Sequence, residues 1–239
     1  MKEYVVSRED LRKWCSIPVD ELADHPDRKM NLMMGEDKTA LLEKIGNMIT
    51  DEVIEHNKEG KKTVWILPGG INGVYDIFIR RVNEERISLK NLYVFHVDQW
   101  LDWEYRLLPV TNLRFSMRGK MTQSFYGRID PELNVPEDQR FFPDPADPDL
   151  IDNKIEELGG VDTILGGVGC KGLVGWNERP ISNVHHITLE QYAKSKTRAV
   201  HITDETIIAY AERYKNIIVD NAQAFYNKPV SNLDTLYTC

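Results

Sequence analysis

The sequence predicts a single α/β domain in which helices flank a central, mainly parallel sheet. Apolar runs of strand length alternate with segments whose apolar residues recur at helical spacing, which is typical of parallel strands joined by helical crossovers. Three of the apolar runs lead into glycines or a carboxylate. Because parallel strands end at the same edge of a sheet, these three ends are expected to lie close together.

The composition is that of a globular protein with an acidic balance. Hydrophobic residues make up 41% of the 239 residues, charged residues make up 28%, and the formal net charge is −8 at pH 7. A chain of this length can bury a full core, and its acidity disfavours a nucleic-acid partner. The three cysteines form no CxxC pair, and no apolar run has membrane-spanning length. These features predict a cytoplasmic protein with no membrane partner.

The elements follow from capping residues and apolar spacing. Residues 1–36 are predicted to form an N-terminal extension with one short helix capped by Ser7, and residues 37–239 to form the α/β domain. The last 15 or so residues carry turn signals without periodicity. The predicted elements of the domain are helix 37–57, strand 63–67, helix 74–83, strand 89–97, a helix over 112–119, helix 150–158, strand 161–165, and helices 182–196 and 205–221.

The first strand leads through Pro68-Gly69-Gly70 into a helix. A glycine turn at a helix N-terminus can hold a phosphate on backbone N–H groups, aided by the helix dipole. Asn72 brings the loop its only polar side chain. A plain tight turn also requires a glycine pair, so both interpretations stay open here.

The second strand ends at Asp98, after an apolar run. A carboxylate at the carboxyl end of a buried strand can act as a general base, and it can equally form an Asx turn or cap a helix. His96, two positions earlier, is expected to be a buried structural histidine.

The third strand leads into a glycine-rich loop. Gly167–Gly172 matches GxGxxG, but the segment after it makes a poor first helical turn, so no nicotinamide or other cofactor is predicted. Cys170 has no histidine or basic partner nearby in sequence and is expected to be inert. The adjacent His185 and His186 would project apart on a helix, so no metal site is predicted.

Three motifs together resemble the glucosamine-6-phosphate deaminase/isomerase family, which includes the 6-phosphogluconolactonases. Pro68-Gly69-Gly70 resembles the family's phosphate loop, Pro-Thr-Gly-Gly-Thr-Pro. The segment 95–100 resembles Phe-x-x-Asp-Glu-Tyr, and the segment 166–180 resembles Gly-Gly-Val-Gly-x-Asp-Gly-His-x-Ala-Phe-Asn-Glu-Pro. The resemblance covers roughly residues 37–215 and its last motif is long and specific. It implies a Rossmann-like fold and a sugar phosphate as the small-molecule partner, and it leaves a homo-oligomer open.

Position by position, the resemblance implies roles for particular residues. Asp98 matches the base that moves a proton between C1 and C2 during aldose–ketose isomerisation, and Glu178 matches the carboxylate that supports opening of the sugar ring. The implied substrate- and phosphate-binding residues are Gly69, Gly70, Asn72, Gly167, Gly169, Lys171, Gly172, Asn177 and, with a one-residue shift, Arg213.

The sequence also departs from the family pattern. The family's ring-opening histidine falls on Leu173 and its partner aspartate on Lys171, while Gln99 replaces a glutamate and Arg179 interrupts Asn-Glu-Pro. Leucine neither donates nor accepts a proton, so the usual relay is altered. The family continues with a further strand and a phosphate-binding lysine beyond the point that corresponds to Cys239. Either the domain lacks the family's C-terminal strand and helix, or the sequence is part of a longer chain.

The sequence therefore predicts a sugar-phosphate aldose–ketose isomerase/deaminase with altered ring-opening residues. Its substrate would be glucosamine 6-phosphate or a related sugar phosphate. The alternative is a non-catalytic sugar-phosphate-binding or regulatory relative, and a third interpretation is a 6-phosphogluconolactonase-like hydrolase. Asp98 and Glu178 favour the enzyme, whereas Lys171 and Leu173 favour the binding protein.

Overall fold

The computed structural model describes residues 7–102, 104–168, 175, 177–178, 187–203, 206, 208 and 235–238. Within these residues, helices and short strands alternate along most of the chain. In chain order they are α1 (Arg8–Cys15), α2 (Lys38–Lys58), β1 (Thr63–Leu67), α3 (Asn72–Glu84), β2 (Leu92–His96), β3 (Asp98–Leu101), α4 (Met117–Ser124), β4 (Arg140–Phe141), α5 (Leu150–Glu157), β5 (Thr163–Ile164), α6 (Leu189–Ala193), β6 (Arg198–His201) and β7 (Thr235–Thr238).

Four strands form a parallel sheet in the order β4-β2-β1-β5. The longest pairing runs from Thr63 opposite Leu92 to Leu67 opposite His96. β5 joins the other side of β1, and β4 joins the outer side of β2. This sheet confirms the predicted α/β class with a parallel core.

Helices cover both faces of the parallel sheet because successive side chains of a strand point to opposite sides. Trp65 and Leu67 of β1 belong to the main core, which α2 and α3 complete. Val64 and Phe95 face the other way and pack with Ile151 of α5. The sheet is therefore flanked by helices, as the sequence predicted.

Capping residues and a close helix contact fix where α2 lies. The Asp37 carboxylate accepts a hydrogen bond from the backbone N–H of Ala40 at 2.8 Å and so caps the first turn. A Cβ built on Gly46 would lie 2.6 Å from Cβ of Ile77. The absence of a side chain at Gly46 therefore lets α2 approach α3 closely.

A second sheet of three strands was not predicted. Its order is β3-β7-β6, and β7 runs antiparallel to both neighbours. The sequence predicted that the second strand ends at Asp98 and that the last residues carry turn signals, whereas the chain forms strands at 98–101 and 235–238. Trp100 and Ile202 form a small apolar cluster in this part of the molecule.

Other bounds are partly confirmed. Ser7 caps α1 by accepting a hydrogen bond from the backbone N–H of Asp10 at 3.0 Å, and none of residues 7–34 is buried. The predicted helix over 112–119 begins later, at Met117. The predicted helix over 182–196 is confirmed only as the shorter α6 in its described part, and β6 follows after it. Most of the predicted helix over 205–221 lies outside the described residues.

Across the described ranges, no helix is both long and apolar enough to cross a membrane.

Candidate functional site at the carboxyl edge of the parallel sheet

Three strand ends meet at the carboxyl edge of the parallel sheet. Beyond the paired residues of β1 and β2, the Val97 N–H donates to the Leu67 carbonyl at 3.1 Å. On the other side of β1, the Leu165 N–H donates to the Ile66 carbonyl at 3.0 Å. The loop that begins at Pro68, the carboxylate at 98 and the glycines at 166–167 therefore leave the sheet at about the same level.

The Pro68-Gly69-Gly70 loop leads into a helix end without a side-chain cap. Within the described chain, no side chain accepts a hydrogen bond at the N-terminus of α3, whose N-cap residue is Ile71. The first N–H groups of a helix have no partner inside the helix. A Cβ built on Gly70 would meet nothing within 4 Å. An uncapped helix N-terminus thus opens onto free space, which is the arrangement that binds an anion.

Asp98 is a buried carboxylate next to this loop. It is the first residue of β3 and is 6% exposed. Tyr75 of α3 lies at the start of the loop, where its hydroxyl donates a hydrogen bond to the Pro68 carbonyl. Burial raises the pKa of Tyr75 well above its ordinary value, and the charges of Tyr126 and Asp98 add to the shift. Tyr75 therefore remains a neutral hydrogen-bond donor at physiological pH.

His96 is buried, as the sequence predicted, and it is neutral. Burial lowers its pKa from 6.5 to about 3, and the charge of Arg140 adds to the shift. Its Nε2 lies 2.9 Å from the Tyr126 hydroxyl, and its ring stacks on Phe142 with centroids 3.9 Å apart. Through these contacts, His96 packs behind the carboxyl edge of the sheet and supports it.

Gln99 ties β3 to the start of α4. Its Oε1 accepts a hydrogen bond from the Arg118 backbone N–H at 3.1 Å. The Ser116 hydroxyl accepts from the Gly119 N–H, also at 3.1 Å, and caps the same helix. Gln99 stands where the family pattern has a glutamate. Its neutral side chain thus helps to fix the start of α4. No local pattern in the sequence links the two segments, so this contact was not predicted.

Glu178 is a second buried carboxylate, 4% exposed, and hydroxyl groups surround it. Thr206 donates to its Oε1, and Thr203 donates to its Oε2 at 3.3 Å. The carbonyl of the neighbouring Asn177 accepts a hydrogen bond from the Tyr192 hydroxyl at 2.8 Å. The two threonines were also missed, since Thr203 lies just before the predicted helix 205–221 and Thr206 in its first turn, where no local pattern links them to Glu178.

The structure therefore describes only part of the predicted site. Gly69, Gly70, Asp98 and Gly167 come from strand ends at one edge, while Glu178 and Asn177 are bound to the segments around α6 and β6. Asn72 is described only as the first backbone position of α3. The predicted residues outside the described part are Gly169, Cys170, Lys171, Gly172, Leu173, His185, His186 and Arg213.

The described residues hold no metal-binding arrangement. Among them, no group of three or more histidine, cysteine, aspartate or glutamate side chains is placed to bind a metal ion. The chemistry of the described site thus consists of two buried carboxylates, backbone N–H groups and hydroxyls.

Comparison with known proteins gives relatives in sequence and neighbours in structure. No family model matches the chain. The chain is 31% identical over 186 residues to glucosamine-6-phosphate deaminase of Fusobacterium nucleatum, an alignment that covers 72% of this chain and 59% of the relative. It is 26% identical over 201 residues to glucosamine-6-phosphate deaminase of Dictyostelium discoideum, with 79% and 68% covered. The match to the bacterial relative thus spans less than two thirds of that protein's length.

The fold has a counterpart among solved structures. A monomeric glucosamine-6-phosphate deaminase superposes with a TM-score of 0.64 at 21% sequence identity, covering 87% of this chain and 75% of the other. At that identity the similarity establishes the shared fold.

Proposed function

Because this chain belongs to the glucosamine-6-phosphate deaminase family as a divergent member, we propose that it is a sugar-phosphate isomerase/deaminase. Its substrate is glucosamine 6-phosphate or a closely related amino-sugar phosphate. The proton shift between C1 and C2 converts the aldose to a ketose. One water is consumed and one ammonia leaves, so that glucosamine 6-phosphate yields fructose 6-phosphate.

The observation that supports this proposal most is that a candidate anion site and a buried candidate base lie at the same edge of the sheet. The uncapped N-terminus of α3 faces open space at Gly70, and Asp98 leaves the sheet one strand away. A phosphate bound at the helix end would hold one end of an open-chain sugar. The other end would then lie over the sheet edge where a carboxylate can take up a proton.

The roles of individual residues follow from this arrangement. Asp98 removes the proton from C2 and delivers it to C1, in a buried position that limits exchange with solvent. Glu178, held by two threonine hydroxyls, assists ring opening. The N–H groups of Gly69 and Gly70 bind phosphate. The remaining binding residues that the family resemblance implies are Asn72, Gly167, Gly169, Lys171, Gly172, Asn177 and Arg213.

The test is a coupled assay for ammonia and fructose 6-phosphate from glucosamine 6-phosphate, alongside a thermal-shift panel of phosphosugars. We expect ammonia release in the wild type and its loss in Asp98→Asn. The matched control is Asp76→Asn, an exposed aspartate of α3 that pairs with Arg128. Turnover that survives Asp98→Asn would show that the base is another group.

A non-catalytic binding protein is the second candidate, because Leu173 stands where the family has its ring-opening histidine. In that case one phosphosugar would raise the melting temperature, and no ammonia would be released. If an open-chain substrate is processed and the ring form is not, the altered position limits ring opening alone.

A further inference from the structure

Arg118 lies beside both parts of the proposed site. It is the second residue of α4, and the preceding Met117 packs on the glycine loop: a Cβ built on Gly69 would lie 2.5 Å from the Met117 sulfur. On its other side, the Arg118 backbone N–H is held by Gln99, the residue after Asp98. The backbone of Arg118 is therefore fixed between the phosphate loop and the strand of the candidate base.

The guanidinium group lies over the same edge of the parallel sheet. It lies 5.8 Å from the ring centroid of Phe142, which follows β4. Phe142 in turn stacks on His96, the last residue of β2. A cation–π contact with an aromatic face attracts an arginine without using its hydrogen-bond donors, so those donors remain available to a ligand.

The charge of Arg118 is not neutralised by a carboxylate within the described residues. Four other arginines make ion pairs there: Arg81, Arg86, Arg106 and Arg128. Arg118 makes none, and its side chain is exposed. The fork of a guanidinium matches a phosphate through two parallel hydrogen bonds.

We infer that Arg118 binds the phosphate of the substrate and supplies a cation that the glycine loop lacks. This inference rests on the proposed function of the site. The loop from Pro68 to Gly73 contains no serine, threonine, lysine or arginine, so its own contribution is limited to backbone N–H groups, the helix dipole and Asn72. Arg118 reaches the site from a separate helix whose placement depends on Gln99. It therefore selects for sugars that carry a phosphate monoester.

The experiment measures binding without turnover. Isothermal calorimetry compares sorbitol 6-phosphate, an open-chain polyol phosphate, with unphosphorylated sorbitol. The variants are Arg118→Gln and Arg114→Gln, because Arg114 is also exposed and lies in the segment just before α4. We expect Arg118→Gln to bind sorbitol 6-phosphate about tenfold more weakly, Arg114→Gln to bind as the wild type does, and added salt to reduce the wild-type affinity.

Each other outcome would overturn the inference. Equal affinity of Arg118→Gln and wild type would remove Arg118 from the site while leaving the proposed function intact. An equal loss in Arg114→Gln would show a general charge effect instead of a positioned contact. If wild type binds no phosphosugar at all, the proposed function fails together with the inference. Melting curves verify that each variant is folded, and Arg118→Lys, which keeps the charge and loses the fork, is expected to bind with intermediate strength.

Discussion

Replacing Tyr75 by phenylalanine removes one hydroxyl and leaves the ring in place. The ring packs edge-on against Phe125 with centroids 4.9 Å apart, and that contact survives the change. The lost group is the donor to the Pro68 carbonyl at the start of the glycine loop. Leaving one partner of a buried hydrogen bond unsatisfied costs about 1–3 kcal/mol. This bond is partly buried, so urea unfolding should show a loss of about 1 kcal/mol.

The change should also weaken substrate binding, because the released carbonyl belongs to the loop that holds the phosphate. If the less ordered loop weakens the binding free energy of the substrate by about 1.4 kcal/mol, KM rises about tenfold. The decrease in kcat is expected to be a smaller factor than the rise in KM. The matched control is Tyr126→Phe. Tyr126 is an equally buried tyrosine of the same aromatic cluster, and its hydroxyl contacts His96 at 2.9 Å instead of the loop.

Both variants are expected to lose stability, and only Tyr75→Phe is expected to change KM. The measurements are urea titrations and steady-state kinetics, with phosphosugar calorimetry as the readout if turnover is low. An equal rise of KM in both variants, or unchanged stability in Tyr75→Phe, would refute the argument that this hydroxyl positions the loop.

Three further predictions concern the same edge. Asp98→Asn should lower kcat by about 10²–10⁴-fold while calorimetry still detects phosphosugar binding, and unchanged turnover would contradict the assignment of the base. In the glycine loop, a methyl at Gly69 would meet the Met117 sulfur whereas one at Gly70 would meet nothing. Gly69→Ala should therefore cost about 1 kcal/mol in urea unfolding, because the flexible Met117 side chain has to move, and Gly70→Ala about 0.5 kcal/mol or less. Gly70→Ala should still weaken phosphosugar binding, and equal losses of stability would count against the packing. His96 has a folded-state pKa of about 3, below its ordinary 6.5, so the unfolded state takes up its proton first as the pH falls. The contribution of His96 to the free energy of unfolding is complete above pH 6.5 and is lost toward pH 3 by about 1.4 kcal/mol per pH unit. Urea titrations of His96→Gln should show a correspondingly smaller slope of the free energy of unfolding against pH. An unchanged slope would contradict a neutral buried histidine.

Local signals predicted the parallel half of the fold well. The run Thr63–Leu67 is entirely strand, Ser7 caps α1 as its side chain suggested, and α2 covers the helix that apolar spacing predicted over 37–57. These features depend on apolar runs and on hydrogen bonds between residues close in sequence. The shared edge of three strand ends also followed from the sequence, because parallel pairing alone requires it.

The second sheet could not be predicted in the same way. Thr235–Thr238 is a short strand with no apolar run to mark it, and it becomes a strand by pairing with β3 and β6. The contacts of Met117 with Gly69 and of Gln99 with Arg118 likewise join segments that share no local pattern. The family resemblance supplied Asp98 and Glu178, but it could not supply Tyr75, Arg118 or the threonines around Glu178. Those positions are defined by packing in this chain.

The antiparallel sheet also sets an order in which the chain can acquire its structure. β7 lies between β3 and β6, and it follows β3 by roughly 130 residues. At about 5–20 residues per second of synthesis, Asp98 leaves the ribosome on the order of ten seconds before the strand that pairs with it. The parallel strands are complete well before that moment, while β3 and β6 still expose unpaired edges that can join other chains. A nascent chain stopped before residue 235 would therefore contain all four parallel strands and the phosphate loop, and β3 would have its contact with α4 through Gln99 but not its pairing with β7.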